Sequence, residues 1–537
     1  MREVTQTGRV LRLPAAGLAP PPLLPPLLPP LLAPLLALLL VGCGSGAAPV
    51  VAAPVVAASP SPSPSVTAGT SPSPVLVESA PVAAPQWEDC DGDFECATLT
   101  VPLVEGEPAT VDLRLTRLRT AAPERRIGSL VVNPGGPGAS AVDYLQRAWQ
   151  LVPERVRARL DLVAFDPRGV GRSAQVRCGT TAELDAYFAV DAAPDDAAEL
   201  RALEDANAAF ARGCAARAGG LLPHVSTEQA ALDLERVRAA IGDERLTYLG
   251  YSYGTSLGAA YLDAFPARVR AMVLDGGIDP ELTWEGLLEG QSTGFDRALE
   301  ELLADCELVG CAYRSAVEGD LLQAYDRLAA RVETAPLRTA EARVVGPSEL
   351  SLGVGAGLYS RADGWPAVAA ALAAAERGDG GPLLALNDQY LSRSPDGYAG
   401  TTEAQVSVVC LDRQWPRETA PYVALAARLR AAAPRFGPSI ALSGLICADW
   451  PVPPGTGTGP QRVTAPGSPP VLVIGTTRDP ATPYAWSVAL AEQLSRGVLL
   501  TYDGDGHTVY RTGAPTCVRD VVDAYLLEAA EPPATTC

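Results

Sequence analysis

Five short apolar runs, each followed by a loop rich in glycine, proline or aspartate, constrain the fold of this chain most strongly. Runs this apolar and this short are typical of strands that are buried on both faces of a sheet. Helical patterns such as residues 226–242 separate them, so the sequence predicts a mostly parallel α/β sheet. The runs are IGSLVVN (127–133), LDLVAFD (160–166), LTYLG (246–250), VRAMVLDG (269–276) and PPVLVIG (469–475).

A long helical block interrupts this alternation in the middle of the chain. Residues 281–405 are dominated by alanine- and leucine-rich helical segments with few β-branched runs. We therefore expect a helical cap domain at 281–405, inserted between a first core segment, 87–280, and a second core segment, 406–537.

The N-terminal 86 residues are predicted to be a targeting segment and a spacer rather than part of the fold. Residues 1–42 have the arginines and the leucine-rich run of a signal peptide, and LVGC at 40–43 resembles a bacterial lipobox. This pattern predicts export, with lipid on Cys43 anchoring the protein to the outer face of the cell membrane. Free secretion is the alternative. Residues 43–86 are rich in Pro, Ala and Ser, a composition that predicts a semi-rigid linker.

The cysteines and the charge restrict the classes of function. Of eleven cysteines, ten remain if Cys43 carries lipid, and an even number in an exported protein suggests disulfides. With no C-x-x-C pair and only two histidines, no metal site or other cofactor is expected. A net charge of −20 argues against a nucleic-acid partner. Sequence cannot fix connectivity, but neighbouring cysteines suggest the pairs 90–96, 178–214, 306–311, 410–447 and 517–537.

The candidate nucleophile is Ser252, in the G-x-S-x-G pattern GYSYG at 250–254. Such a serine lies on a sharp turn between a buried strand and a helix, and its neighbours must be small. The apolar run before the motif and the helical pattern after it supply that context. The sequence therefore predicts that Ser252 is presented at the end of a sheet strand.

Serine needs a base and an acid, and the order along the chain selects among the candidates. His507 follows Ser252 and a further predicted strand, GVLLTYDG at 497–504, whereas His224 precedes Ser252 and lies before a helix. We expect His507 to be the base and Asp479, in the loop RDPATP, to orient it. Asp275, which follows the strand at 269–274, is the alternative acid.

An acyl-transfer site also needs donors for the oxyanion of the tetrahedral intermediate. One is expected to be the N–H of Tyr253, the residue after the nucleophile. The other is expected from the loop NPGGPG at 133–138, with Gly136 as the first choice and Gly135 as the second.

Taken together, these motifs resemble those of the secreted bacterial tripeptidyl aminopeptidases. NPGGPG, DPRGVGRS, GYSYGTSLG, RDPATP and GDGH occur in that order, after CDGDFECATLTVPL near residue 90. The resemblance covers about 87–537 and implies an α/β-hydrolase fold, with a TAP-like segment from about 405. It also implies that Ser252, Asp479 and His507 form the catalytic triad. Asn133 stands where the related prolyl aminopeptidases carry histidine, which favours the tripeptidyl branch.

The expected function is therefore that of an exported serine exopeptidase acting on peptides with free N-termini. Two alternatives stay open: a secreted esterase or lipase with the same triad, and a non-catalytic lipoprotein that binds peptides. Glu281, Glu285 and Glu289 share one helical face and are candidates for binding the substrate ammonium, but a solvated acidic face is the expected role.

Overall fold

The computed structural model describes residues 84–455 and 459–537. The predicted signal peptide, Cys43 and all but the last residues of the predicted linker lie outside this range, so lipidation stays a prediction. The strands of the described residues are β1 (Glu88–Asp89), β2 (Phe94–Pro102), β3 (Thr110–Leu118), β4 (Gly128–Asn133), β5 (Leu160–Phe165), β6 (Leu246–Tyr251), β7 (Val269–Asp275), β8 (Leu337–Arg338), β9 (Val344–Val345), β10 (Arg393–Ser394), β11 (Gly397–Tyr398), β12 (Val471–Arg478), β13 (Gly497–Asp505) and β14 (Thr535–Thr536).

Helices alternate with these strands and also form a long insertion between β7 and β12. They are α1 (Ala141–Ala148), α2 (Glu154–Arg157), α3 (Thr181–Phe188), α4 (Ala197–Ala218), α5 (Thr227–Ala240), α6 (Tyr253–Ala264), α7 (Trp284–Val309), α8 (Ala312–Ala316), α9 (Leu321–Thr334), α10 (Pro347–Leu358), α11 (Gly364–Glu376), α12 (Gly381–Tyr390), α13 (Thr401–Asp412), α14 (Thr419–Ala432), α15 (Gly437–Ser443), α16 (Tyr484–Gln493) and α17 (Thr516–Glu528).

One ten-stranded sheet organises the core, in the order β1-β2-β3-β5-β4-β6-β7-β12-β13-β14. The first three pairings, from β1 to β5, are antiparallel, and all the others are parallel. The mostly parallel α/β sheet expected from the sequence is confirmed. Because β6, β12 and β13 run in the same direction, the loops that follow them emerge at one edge of the sheet.

Alternate residues of the central strands pack on opposite faces of this sheet. Val131 and Tyr248 belong to a core that includes helices α5 and α6, whereas Leu130 and Leu249 belong to the core that includes α1 and α17. Both faces are apolar because both are covered by helices, which is why the sequence runs lack the polar alternation of a half-exposed strand.

The helices inserted between β7 and β12, together with α3 and α4 that pack on them, form a helical layer, or cap, that is larger than the segment expected from the sequence. Between β7 and β12, helices α7–α15 extend to Ser443, and the predicted boundary at residue 405 falls within α13. Helices α3 and α4, assigned to the first core segment, share a hydrophobic cluster with α13, α14 and α15. The sheet resumes only at Val471.

All five predicted disulfide pairs are confirmed. Cys178–Cys214 and Cys410–Cys447 lie in the hydrophobic cluster that α4 shares with α13, α14 and α15. Cys306–Cys311 closes the end of α7. Cys90–Cys96 and Cys517–Cys537 fix the two ends of the described core. In the described part of the chain, no helix has both the length and the apolarity needed to cross a bilayer.

Candidate active site

Ser252 occupies a strained turn between β6 and α6. Its φ of 56° and ψ of −124° lie in a region that side-chain-bearing residues rarely adopt. The Ser252 N–H donates to the carbonyl of Asp275 at 2.9 Å, which fixes the turn against β7. A Cβ on Gly250 would lie 2.4 Å from the carbonyl oxygen of Gly254, and a Cβ on Gly254 would lie 2.9 Å from the carbonyl oxygen of Asn133, so close packing requires both motif glycines. These features are those of a nucleophile elbow.

His507 lies just beyond the end of β13 and is held on two sides. Its backbone N–H donates to the carbonyl of Tyr359 at 2.8 Å, and the two rings meet edge to face with centroids 5.3 Å apart. On the other side, Nδ1 is 2.9 Å from both carboxylate oxygens of Asp479. The ring nitrogen Nε2 is buried and has no partner among the described residues.

Asp479, after β12, is buried and is the centre of a local hydrogen-bond network. It accepts from the backbone N–H groups of Ala481 and Thr482 at 2.9 and 2.8 Å, and from the Thr482 hydroxyl at 3.1 Å. The Thr482 hydroxyl is also 3.3 Å from Nδ1 of His507. Burial alone lowers the pKa of His507, but the charge and hydrogen bond of Asp479 outweigh it and raise this pKa.

Asp275, the alternative acid, makes different contacts. Its Oδ2 accepts from the N–H groups of Val509 and Tyr510 at 2.9 and 2.7 Å, whereas its Oδ1 has no partner among the described residues. No hydrogen bond joins it to His507 among the described residues. Burial raises the pKa of Asp275 to about 6. Asp275 therefore anchors the loop that carries the histidine, while Asp479 is the carboxylate that contacts the ring.

The second histidine lies outside this site. His224 is in a short turn before α5, is half-exposed and is not among the residues that line the cavity containing Ser252 and His507. Its backbone carbonyl accepts from Arg168, and burial lowers the pKa of its ring. His224 is therefore not part of the site that contains Ser252 and His507.

The glycine loop after β4 packs directly on the elbow. A Cβ on Gly135 would lie 2.9 Å from Ser252 Cβ and 3.1 Å from the nitrogen of Tyr253. The N–H of Gly135 is engaged by the side chain of Asn133 at 2.9 Å. No acceptor among the described residues pairs with the N–H of Gly136, which also lines the cavity. The geometry thus favours Gly136 over Gly135 as the second oxyanion donor.

The motif DPRGVGRS holds this loop from behind, a role that the sequence did not indicate. Asp166 is buried and accepts from the hydroxyl of Ser140 and the N–H of Val142, at the start of α1. Arg168 is buried in a two-bond ion pair with Asp233, at 2.7 and 2.8 Å. These contacts tie the loops after β4 and β5 to helices α1 and α5.

A cavity of about 1130 Å³ lies between the sheet edge and the helical layer. Ser252, Tyr253, Gly136 and His507 line its floor, and residues of α10, α13 and α15 line the opposite side. Most of the lining is apolar. Among the described residues that line it, three are acidic, Glu228, Asp263 and Asp412, and one is an arginine, Arg413.

The glutamates at and just before the start of α7, and one further acidic cluster, are not part of this cavity. Glu281 lies before α7, which begins at Trp284, so only Glu285 and Glu289 of the expected helical face belong to the helix. None of the three lines the cavity, and Glu285 pairs with Arg428 at the surface. A separate cluster has carboxylate oxygens close enough to hold a metal ion, but acidic groups at a surface commonly cluster without one; its members are Asp191, Glu199 and Glu333.

Comparison with known proteins identifies the group to which the chain belongs. The family model described as "TAP-like protein" matches residues 433–537, which include Asp479 and His507. Serine protease Hip1 of Mycobacterium tuberculosis is 37% identical over 456 residues, covering 82% of this chain and 86% of that protein. The chain belongs to the TAP-like family of α/β-hydrolases.

Two further relatives of this TAP-like hydrolase have names that differ in substrate. Tripeptidyl aminopeptidase of Streptomyces lividans is 33% identical over 464 residues, covering 82% of this chain and 84% of that protein. Carboxylesterase B of M. tuberculosis is 36% identical over 509 residues, covering 91% of this chain and 95% of that protein. The TAP-like hydrolase is therefore a serine hydrolase, with relatives named for both peptide and ester cleavage.

Proposed function

We propose that the protein is an exported serine exopeptidase that releases short peptides, tripeptides in particular, from free N-termini. One observation carries the proposal: a serine in the strained elbow geometry and a histidine paired with a buried aspartate line the same cavity. The similarity to a tripeptidyl aminopeptidase supports the peptide substrate and the length of the product.

In the proposed mechanism, Ser252 Oγ attacks the scissile carbonyl while His507 Nε2 takes its proton. Asp479 holds the ring through Nδ1 and stabilises the imidazolium. The N–H groups of Tyr253 and Gly136 bind the oxyanion of the tetrahedral intermediate. His507 then gives the proton to the leaving amine, which departs and leaves an acyl-enzyme on Ser252. Water, activated by the same histidine, releases the peptide.

An exopeptidase of this kind must also recognise the free ammonium of its substrate. Glu228 and Asp263 are the exposed carboxylates among the described lining residues of the cavity, and they lie on helices α5 and α6. A carboxylate that meets an ammonium in a partly dry cavity forms a charge-assisted hydrogen bond, which is stronger than a neutral one. We propose that these two residues receive the substrate N-terminus.

A panel of peptide anilides tests this function. Peptides of one to four residues, each with a free and an acetylated N-terminus, would be compared by kcat/KM. We expect the free three-residue peptide to be the best substrate and acetylation to slow its cleavage by at least about tenfold, the equivalent of one lost charge-assisted contact. Equal cleavage of free and acetylated peptides would contradict the exopeptidase assignment.

An esterase is the competing function, because a relative named carboxylesterase B is 36% identical to this chain. Simple acyl esters in the same panel separate the two, since turnover of esters without turnover of peptides would establish the esterase. A serine-directed fluorophosphonate tests the nucleophile itself: we expect labelling of the wild type and none of Ser252→Ala. An unlabelled wild type would favour the non-catalytic binding protein.

Export and lipid anchoring are part of the proposal and rest on the sequence of residues 1–43 alone. Labelled fatty acid is expected to enter the protein made by its own host and to be absent from Cys43→Ala. The same variant is expected in the culture medium rather than in the membrane fraction. Equal incorporation of fatty acid into both proteins would show that Cys43 is not the lipidation site.

A further inference from the structure

A buried hydrogen-bond relay connects the cap to the residue after the nucleophile. Asp412 is the last residue of α13, Thr227 is the first of α5 and Tyr253 is the first of α6. The carboxylate of Asp412 accepts from the Thr227 N–H at 2.9 Å and from its hydroxyl at 2.6 Å. The Thr227 hydroxyl oxygen is in turn 2.6 Å from the phenol oxygen of Tyr253.

The carboxylate sets the direction of this relay. Because the Thr227 hydroxyl gives its only proton to Asp412, the phenol of Tyr253 must donate to the Thr227 oxygen. Thr227 and Tyr253 are each only 7% exposed, so water cannot readily replace either partner. All three residues line the cavity that contains Ser252.

Tyr253 is the point at which this relay meets the proposed chemistry. Its N–H, on the first residue of α6, has no acceptor within the helix and is the expected oxyanion donor. Its phenol, at the other end of the same residue, is fixed by Thr227. Fixing the side chain restricts the rotation of the backbone unit that carries the N–H, at a turn already strained at Ser252.

We propose that Asp412 and Thr227 are positioning residues that hold the Tyr253 N–H in line with the oxyanion of the tetrahedral intermediate. The relay is supplied by the cap, since α13 lies in the insertion between β7 and β12 and is joined to the turn after α15 by Cys410–Cys447. The cap therefore contributes to the rate of the chemical step as well as to the shape of the cavity. This inference rests on the proposed function of Ser252.

A purely structural role of the relay predicts a different result. If the three residues only attach the cap to the core, breaking the relay should reduce stability or raise KM while kcat stays unchanged. If they position the oxyanion donor, kcat should fall with little change in KM, because the contact matters most in the transition state.

The experiment compares Thr227→Val, which removes the hydroxyl at constant size, with Thr227→Ser, which keeps it. Tyr253→Phe removes the other end of the same bond and leaves the N–H in place. Tyr261→Phe is the matched control. Tyr261 is also on α6, and its buried phenol also donates to a residue of α5, Glu235 Oε2, at a distance of 2.7 Å. Neither residue lines the cavity.

Four quantities are measured on each variant: kcat and KM for the best free peptide, the affinity for a boronic acid that mimics the tetrahedral intermediate, and the rate constant of fluorophosphonate labelling. We expect Thr227→Val and Tyr253→Phe to lower kcat about tenfold, within the range seen when a catalytic group is slightly misplaced. Boronic acid affinity and labelling rate should fall in parallel, Thr227→Ser should recover most of the loss, and Tyr261→Phe should match the wild type.

Loss of kcat in Tyr261→Phe to the same extent, a change confined to KM, or unchanged kcat in both relay variants would overturn the proposal. The labelling rate separates this inference from the function on which it rests. A wild type that is labelled but cleaves no peptide contradicts the peptidase assignment, and the relay is then judged by labelling rates alone. A wild type that is not labelled contradicts both.

Discussion

The sheet edge and the helical layer contribute to the site in different ways. At the sheet edge, Ser252, Asp479 and His507 each lie within a few residues of the end of a parallel strand, and short hydrogen bonds to neighbouring backbone fix them. In the helical layer, residues such as Tyr359 and Asp412 reach the site from helices α10 and α13 or their ends.

This difference separates the proposed reacting groups from the groups that surround them. Strand ends are rigid because the whole sheet holds them, so they suit groups that must keep their geometry through the reaction. Helices of an inserted layer are held by side-chain packing, ion pairs and disulfides, which change more readily without loss of the sheet. We therefore expect damage at the edge to abolish turnover, whereas damage in the layer should change substrate selection or, at the Asp412 relay, lower kcat by only about tenfold.

The largest expected effect is that of His507→Ala. Removing the proposed general base should lower kcat by roughly 10⁴-fold or more, because triad members act as a unit. The fold should stay nearly intact, as measured by thermal unfolding and by the five disulfides. His224→Ala is the matched control and should keep full turnover. Comparable losses in the two variants would show that His507 is not the base.

Asp479→Asn should have the next largest effect. The amide keeps the size of the side chain but no longer stabilises the imidazolium that forms when His507 takes the proton, so we expect kcat to fall by about 10²- to 10⁴-fold. Steady-state kinetics on the best peptide measure the loss. A decrease below about fivefold would mean that another carboxylate orients the ring.

The pH profile tests how Asp275 acts on His507. Because the pKa of His507 is raised, the base is protonated to a higher pH than an ordinary histidine, and kcat/KM should fall on the acid side above the usual histidine range. The charge of Asp275 contributes to this increase. Asp275→Asn should therefore move the acid limb to lower pH with a loss of rate of less than about tenfold. An unmoved limb would contradict this.

Removing one disulfide from the helical layer and another from the core compares the two regions directly. Cys410–Cys447 closes 37 residues of the layer, and Cys517–Cys537 closes 20 residues at the C-terminus. Loop-closure entropy predicts that replacing either pair with serines costs about 3–4 kcal/mol of unfolding free energy. Only the first change should alter peptide kinetics, because α13 lines the cavity. Urea unfolding and kcat/KM measure the two effects, and equal kinetics in both variants would contradict the division of roles.

The same division explains what the sequence could predict. Strand ends are local features, so the apolar runs that precede Ser252, Asp479 and His507 are enough to predict that these residues lie at the sheet edge. The choice between Asp479 and Asp275 depends on side-chain direction, which spacing cannot show, because both follow parallel strands. Asp412 approaches Thr227 across 185 residues of chain. No local pattern records such a contact, and the packing of α3 and α4 on the cap escapes sequence reasoning for the same reason.

The smallest expected effect is that of the three glutamates at and just before the start of α7. Glu281 and Glu289 are exposed, Glu285 makes a surface ion pair, and none of them lines the cavity. Replacing all three with glutamine should change the ratio of kcat/KM for free and acetylated peptides by less than about twofold, because screened surface charges contribute little to binding. Replacing Glu228 and Asp263 with glutamine and asparagine, by contrast, should lower that ratio by at least about tenfold, the equivalent of one charge-assisted contact. If the α7 variant lost the preference and the cavity variant kept it, the substrate ammonium would bind on the helical layer, and the proposed ammonium site on α5 and α6 would be wrong.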